Sequence, residues 1–224
     1  MPAPITVIIP TLNAEHSLTD CLTALMEGVD AGLICELIVS DGGSEDATRI
    51  VADAWGAQII EGAASRGGQL RRGCAKAKGE WLLILHADTQ LAQGWTGPVI
   101  AHLKGRKAGW FQLRFDSTGF AARFVAGWAN LRSRLGLPYG DQGLLLPRTL
   151  YQSLGGYPDQ PLMEDVAMAR LLKGHLTRID CAAITSADKY HKAGWLRRGG
   201  RNLWSLIRYF AGVSPQDLAK AYSK

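Results

Sequence analysis

Unbroken apolar runs, each closed by a polar turn and followed by a stretch of helical period, recur along the first part of the chain. Ile5–Ile9 is a β-branched run ended by Pro10, which predicts a buried strand and then the loop Pro10–Asn13. From Glu15 to Gly28, Leu18, Leu22, Leu25 and Met26 fall on one helical face. Glu36–Ser40 predicts a second strand, closed by Asp41-Gly42-Gly43-Ser44-Glu45-Asp46. The glycines there permit a tight turn, and Ser44 is placed to cap a helix carrying Ile50, Val51 and Ala54, with Glu45 and Asp46 in its first turn. Gln58–Ile60 is a short third strand, and Ser65-Arg66-Gly67-Gly68-Gln69 opens a helix to Lys78 marked by Leu70, Cys74 and Ala77. Trp81–Leu85, five apolar residues in a row, reads as a strand buried on both faces. Three strand–helix repeats leading to a fourth strand predict an α/β fold with a doubly wound, mainly parallel sheet.

Beyond Asp88 the rhythm changes. Trp95–Leu103 reads as a helix, and Gly109–Phe115 alternates as a strand. Phe120–Leu135 is helical and aromatic, and Phe120, Phe124, Trp128 and Leu131 recur at a spacing that predicts a core-facing stripe. The polar turn Tyr139–Gly143 feeds a short strand, Leu144–Leu146, and after Gly155–Pro158 a helix opens at Met163-Glu164-Asp165-Val166, with Leu171 and Leu172. In Trp195–Phe210, Trp195, Leu196, Leu203, Leu206, Ile207 and Phe210 share one face and Arg197, Arg198, Arg201 and Arg208 the other. The pattern is read first as a helix packing its apolar face on the domain with its arginines in solvent. The alternative partner is an anionic membrane surface, met through residues 192–210.

Composition narrows the classes. With 47% hydrophobic and 20% charged residues the chain is an ordinary globular one, and no run reaches the roughly 18 apolar residues of a membrane span. Met1–Ile5 lacks the basic and apolar regions of a signal peptide, so the expected location is cytoplasmic, with a peripheral membrane location as the tail's alternative. Cys21, Cys35, Cys74 and Cys181 lie far apart without a C-x-x-C pair, which argues against a zinc ribbon or a disulfide framework. The net charge of +5 is local: Lys192, Arg197, Arg198, Arg201 and Arg208 account for it, and the other 20 basic residues are matched by 20 acidic ones.

Candidate chemistry gathers at strand ends. Neither a G-x-G-x-x-G fingerprint nor a P-loop is present, which argues against hydride transfer and P-loop chemistry. Asp88 follows a buried strand, where open α/β sheets bind ligands, and has no basic neighbour in sequence. It is either a helix cap or a ligand to a hard cation such as Mg²⁺ or Mn²⁺. Asp41 is a turn residue or an acceptor for base and ribose donors, since the acidic loop around it repels phosphate. Arg66 at a helix start suits a base or a diphosphate. Glu164 and Asp165 are dipole partners of their helix or a source of a general base. His191 is read as an exposed, lone histidine in preference to one reaching a metal or diphosphate.

In order, Ile8–Asn13, Ile38–Ser44 with Asp46 and Thr48, Arg66–Gln69, His86-Ala87-Asp88, Gly140–Gly143 and Glu164-Asp165 resemble glycosyltransferase family 2, nearest its small, span-free bacterial branch. The resemblance covers nearly the whole chain, including Tyr209–Pro215. It implies a GT-A fold over residues 1–224, a Rossmann-like sheet flanked by helices with a helical C-terminal tail: a nucleotide-binding half (1–90), an acceptor half (91–190) and an amphipathic tail (191–224). It also implies inverting transfer of a sugar from a nucleoside diphosphate donor to a glycan, lipid or small-molecule acceptor, and no nucleic-acid partner. By that similarity Thr11, Asn13 and Asp41 hold the nucleoside, and Arg66 and Gln69 lie near the base or diphosphate. Asp88 takes the last position of the metal-binding D-x-D, Asp165 (or its neighbour Glu164) is the base, and Asp141 and Gln142 belong to the acceptor or donor-sugar region. The chain departs from the family in having Ala14 between Asn13 and Glu15, and in having His86 where D-x-D has its first carboxylate.

Two other readings compete. A sugar-phosphate nucleotidyltransferase would need a glycine-rich, arginine-containing loop after the first strand, which Pro10–Asn13 does not supply. A catalytically inactive, membrane-peripheral binding module would use the basic tail but leave the ordered acidic positions unexplained.

Overall fold

The computed structural model describes residues 3–222. In chain order its elements are Ile5–Thr11 (β1), Glu15–Asp30 (α1), Ile34–Asp41 (β2), Thr48–Ala54 (α2), Gln58–Glu61 (β3), Arg66–Lys76 (α3) and Trp81–Ile84 (β4). Thr89–Leu91 (β5), Thr96–Leu103 (α4), Ala108–Phe115 (β6), Phe120–Arg134 (α5), Leu144–Pro147 (β7), Arg148–Ser153 (α6) and Glu164–Leu171 (α7) follow. Leu176–Thr185 (β8), Asp188–Ala193 (α8), Trp195–Phe210 (α9) and Pro215–Tyr222 (α10) end the described chain.

The strands form one sheet in the order β3-β2-β1-β4-β7-β6-β8-β5. β1 to β4 are mutually parallel, as the repeats predict. Past β4 the sheet is mixed: β7 runs antiparallel to β4 and β6, β8 parallel to β6, and β5 antiparallel to β8. Because β2 and β4 flank β1, the winding reverses there, and a crevice opens beyond the carboxyl ends of β1 and β4.

The unbroken apolar runs are explained by cover on both faces. On β1, Ile5, Val7 and Ile9 share a buried cluster with Leu18, Leu22 and Leu25 of α1, while Ile8 on the other face belongs to a second cluster with Leu70 and Cys74 of α3 and Met168 of α7. Gly73 lets α3 come this close: a Cβ there would stand 2.6 Å from Cγ2 of Ile8.

The structure corrects several expectations. Helix α2 starts at Thr48, so Ser44 is not its cap, and Ile50 projects into solvent while Thr48 and Ala52 are buried. Strands β5 and β8 were not expected at all. On α5 the inward face is the small one, Ala122, Ala129 and Ser133. Asn130 pins it there, accepting from Leu113 N–H (2.8 Å) and donating to Leu113 C=O (3.0 Å). The stripe Phe120, Phe124, Trp128, Leu131 is therefore exposed rather than core. Helix α9 departs from the first reading in part: of its apolar face only Leu206 is buried and Trp195 half-buried, while Arg197 and Arg201 stand in solvent as expected. Ser205 and Leu206 are buried, whereas Leu196, Leu203, Trp204, Ile207 and Phe210 are exposed. No helix among the described residues is long and apolar enough to cross a membrane.

Candidate active site

The first two βα loops are sewn together beneath the crevice. Asp41, wholly buried, accepts hydrogen bonds from the Thr11 hydroxyl (2.9 Å), the Ser44 hydroxyl (2.5 Å) and the N–H groups of Gly43 and Ser44. Burial opposes its charge, but the bonds from Ser44, Thr11 and Gly43 outweigh it and hold the carboxyl below its usual range. Asn13 takes a left-handed backbone (φ 50°), a conformation asparagine tolerates, and its side-chain oxygen accepts from Glu45 N–H at 2.9 Å. The Glu15 carboxylate accepts from Ala47 N–H, and Asp46 accepts from Glu15 N–H. Gln69 ties the strand ends from below, donating to the carbonyls of Thr11 (2.7 Å) and Ser40 (2.9 Å).

Two cavities open above this floor. One, of about 630 Å³, is lined by Thr11, Asn13, Arg66, Gln69, His86 and Asp88 among others. The second, of about 510 Å³, is lined by Tyr139, Asp141, Asp165, Tyr190, Arg198 and Asn202. Arg66, His86, Asp88 and Lys189 line both, so the cavities meet at the end of β4. Asp41 and Gln142 line neither. Gln142 is wholly buried and committed elsewhere, accepting from the Ser133 hydroxyl and donating to the Phe111 carbonyl, so it braces the turn rather than facing a ligand.

At the junction, tertiary structure gives Asp88 the cation its sequence neighbours lack: Lys189 Nζ, on α8, lies 2.8 Å from its Oδ2. Burial opposes the Asp88 charge, Lys189, His86 and Arg66 together outweigh it, and the carboxyl is held below its usual range. Burial and the charge of Arg66 bring His86 down to about 4, leaving a neutral imidazole at pH 7. A side chain at Gly140 would collide with that imidazole, so the turn after Tyr139 can close over it only with glycine.

The acidic pair divides its tasks. Met163, in a left-handed backbone (φ 65°), turns the chain so that Glu164 and Asp165 begin α7 beside the junction. Asp165 faces the second cavity, its Oδ2 accepting from Gly140 N–H at 3.0 Å. Glu164 points into the protein, wholly buried, with Oε1 3.5 Å from Arg66 Nη1 and Oε2 without a partner. Burial, then the neighbouring Asp165, push it up to about 7 against the pull of Arg66. Burial likewise raises Asp141 to about 6, and its Oδ1 has no partner in the protein.

The glycines of Arg66–Gln69 serve packing: a Cβ on Gly67 would run into the Pro158 carbonyl, and one on Gly68 would reach the Asp159 carboxylate at 2.6 Å. Lys189, Arg198 and Asn202, all lining the second cavity, were not singled out for a site by sequence reasoning. Two of them lie in an amphipathic segment that reads equally well as surface, and nothing local to Lys189 pairs it with Asp88. His191 is exposed, as expected, near the Ser117 hydroxyl (3.1 Å).

The glycosyl transferase family 2 model matches residues 6–143. The chain belongs to glycosyltransferase family 2. Among solved structures, glucosyl-3-phosphoglycerate synthase from Mycobacterium tuberculosis in complex with phosphoglyceric acid is similar at 21% identity and a TM-score of 0.60, over 90% of this chain and 79% of that one. A complex of the same enzyme with Mn²⁺ and UDP-glucose is similar at 22% identity and a TM-score of 0.58, over 80% of this chain and 69% of that one. S. aureus TarS 1–349 is similar at 13% identity and a TM-score of 0.63, over 91% of this chain and 64% of that one. At these identities the likeness is one of fold, and the fold is GT-A. No curated protein matches. The chain is thus a glycosyltransferase that uses a nucleotide sugar.

Proposed function

We propose that this transferase moves a sugar, with inversion, from a nucleoside diphosphate donor to the hydroxyl of an acceptor held in the second cavity. The observation that carries the reading is the meeting of the two cavities at Arg66, His86 and Asp88, with Asp165 on the acceptor side. Thr11 and Asn13 hold the nucleoside in the first cavity, on a loop that Asp41 and Gln69 stiffen from beneath. Arg66 and Lys189 supply positive charge where the diphosphate would lie. The acceptor oxygen attacks the anomeric carbon, the bond from that carbon to the diphosphate breaks, and the acceptor proton passes to Asp165. Glu164 positions Arg66, and Asp141, with its unpartnered oxygen, accepts a hydrogen bond from a sugar or acceptor hydroxyl.

A divalent ion fits this site on stated terms. Among the described residues no three His, Cys, Asp or Glu side chains gather into a cage. Asp88 and the neutral His86 do face the junction, and a hard cation commonly takes one or two carboxylates and completes its shell with phosphate oxygens and water. Mn²⁺ or Mg²⁺ would be held by Asp88 once Lys189 releases it, and would neutralise charge on the departing diphosphate.

Asp165→Asn tests the base. Its kcat should fall by about 10²–10⁴-fold while donor affinity, measured by titration of the nucleotide, stays near wild type. Transfer at the wild-type rate would remove Asp165 from this role.

A further inference from the structure

Ten of the sixteen exposed large apolar side chains lie on α5 and its C-terminal cap, Leu135, and on α9: Phe120, Phe124, Trp128, Leu131 and Leu135 on the first, and Leu196, Leu203, Trp204, Ile207 and Phe210 on the second. Every exposed Phe and Trp among the described residues is in this set, with Phe120 at 85% and Trp204 at 60% exposure. Leucines scattered singly over a surface are ordinary, but a gathering of aromatic rings on two neighbouring helices is not. The helices are neighbours: Val125 and Ala126 of α5 and Trp195 of α9 pack against one buried cluster that includes Phe115 and Ala187.

Charge identifies the occupant. Residues 117–140 and 189–216 contain no Asp or Glu and carry nine Lys and Arg. Arg123 and Arg134 flank the α5 stripe, Arg197 and Arg201 border that of α9, and all four are exposed. On α9 the division follows from the fold: Arg198, Asn202 and Ser205 line the second cavity, which leaves the apolar side facing out. A protein partner would bring acidic side chains to such a rim as readily as a lipid would bring phosphates. Aromatic rings bordered by arginines on the exposed faces of two neighbouring helices match the interface of a bilayer, where the rings sink to headgroup depth and the guanidinium groups stay at the phosphates.

We infer that the exposed faces of α5 and α9 dock the enzyme on an anionic membrane surface. Binding is read with vesicles alone, so the inference stands or falls apart from the transfer chemistry. The test is flotation of the full chain with vesicles of phosphatidylcholine, and of phosphatidylcholine mixed one to one with phosphatidylglycerol. The protein should float with the mixed vesicles, remain below with the neutral ones, and be released by added salt. Trp128→Ser with Trp204→Ser should lower the partition coefficient by about tenfold or more. Arg123→Gln with Arg197→Gln should lower it by about twenty-five-fold, at about fivefold for each near-surface arginine. An unchanged nucleotide-induced thermal shift shows that these variants fold. Wild-type protein left at the bottom with mixed vesicles overturns the inference. So does flotation indifferent to lipid charge and salt, or a dimer in sedimentation equilibrium that the tryptophan pair abolishes.

Discussion

Glu164 and Lys189 show how single side chains take their properties from distant parts of the chain. Buried Glu164 binds its proton more tightly folded than unfolded, so its contribution to stability is present below the ordinary glutamate range and is lost as pH rises through about 7. Asp141, raised to about 6, adds to the same trend, whereas Asp41 and Asp88 are lowered and act only at more acid pH. Between pH 5 and pH 8 the melting temperature should therefore fall by more in wild type than in Glu164→Gln, with His86, lowered to about 4, working the other way in both below about pH 6.5. Calorimetry at those two pH values checks it; equal falls would mean Glu164 ionises without cost. Lys189 competes for Asp88. Its pair is largely exposed on the lysine side and worth at most about 1 kcal/mol, so Lys189→Met should lower the Mn²⁺ concentration for half-saturation by up to about fivefold, read from the free Mn²⁺ resonance signal.

Among elements, α3 is the most closely fitted. Gly73 lies inside this helix, where alanine would ordinarily gain about 1 kcal/mol in propensity. Against that, the new methyl would meet Cγ2 of Ile8 at 2.6 Å, on a β-branched side chain fixed in a buried strand. Overpacking of this kind costs typically 1–3 kcal/mol, so the steric term wins and Gly73→Ala should destabilise the protein in denaturant melts. Legibility also varied by element. β1 and β4 could be read because both faces are buried and the run is unbroken. β8 could not, because Leu176–Thr185 mixes Arg178, Asp180 and small residues along a half-exposed strand. Helices α5 and α9 form as expected, but the aromatic stripe of α5 and most of the apolar side of α9 are exposed rather than covered. Periodicity gives a face its apolar character; it does not give the neighbour. On α5 the neighbour is a sheet approached closely through alanines, and on α9 it is a cavity lined by Arg198, Asn202 and Ser205 beside the cluster of Leu206 with Met163, Val166 and Leu218.

At the scale of the molecule, both cavities stand at one edge of a single sheet, and Arg66, His86, Asp88 and Lys189 line both, so the two are mechanically joined. A nucleoside diphosphate that fills the first cavity should stabilise the whole. At about a hundredfold excess over its Kd the gain is about 2.7 kcal/mol. For a chain of this size that is a rise of about 5–11 °C in melting temperature, in one transition. Scanning calorimetry with and without the nucleotide checks both points, and two separate transitions would mean that the halves unfold independently.

The sequence by itself determined the strand–helix repeats, the family, and most residues at the crevice, since burial on both faces leaves unbroken apolar runs and the turns that end them carry the polar groups. Thr11, Asn13, Arg66, Asp88, Asp141 and Asp165, all named from sequence, line one cavity or the other. Tertiary structure decided what each group meets. It sealed Asp41 and Gln142 beneath the site, set Lys189 on Asp88, turned Glu164 inward to Arg66, and left the aromatic side of two helices facing out. The reason is physical: local pattern reports how a segment divides into apolar and polar faces, while ion pairs, proton affinities and the choice of which face is covered depend on groups about a hundred residues away, such as the pairs Asp88–Lys189 and Arg66–Glu164.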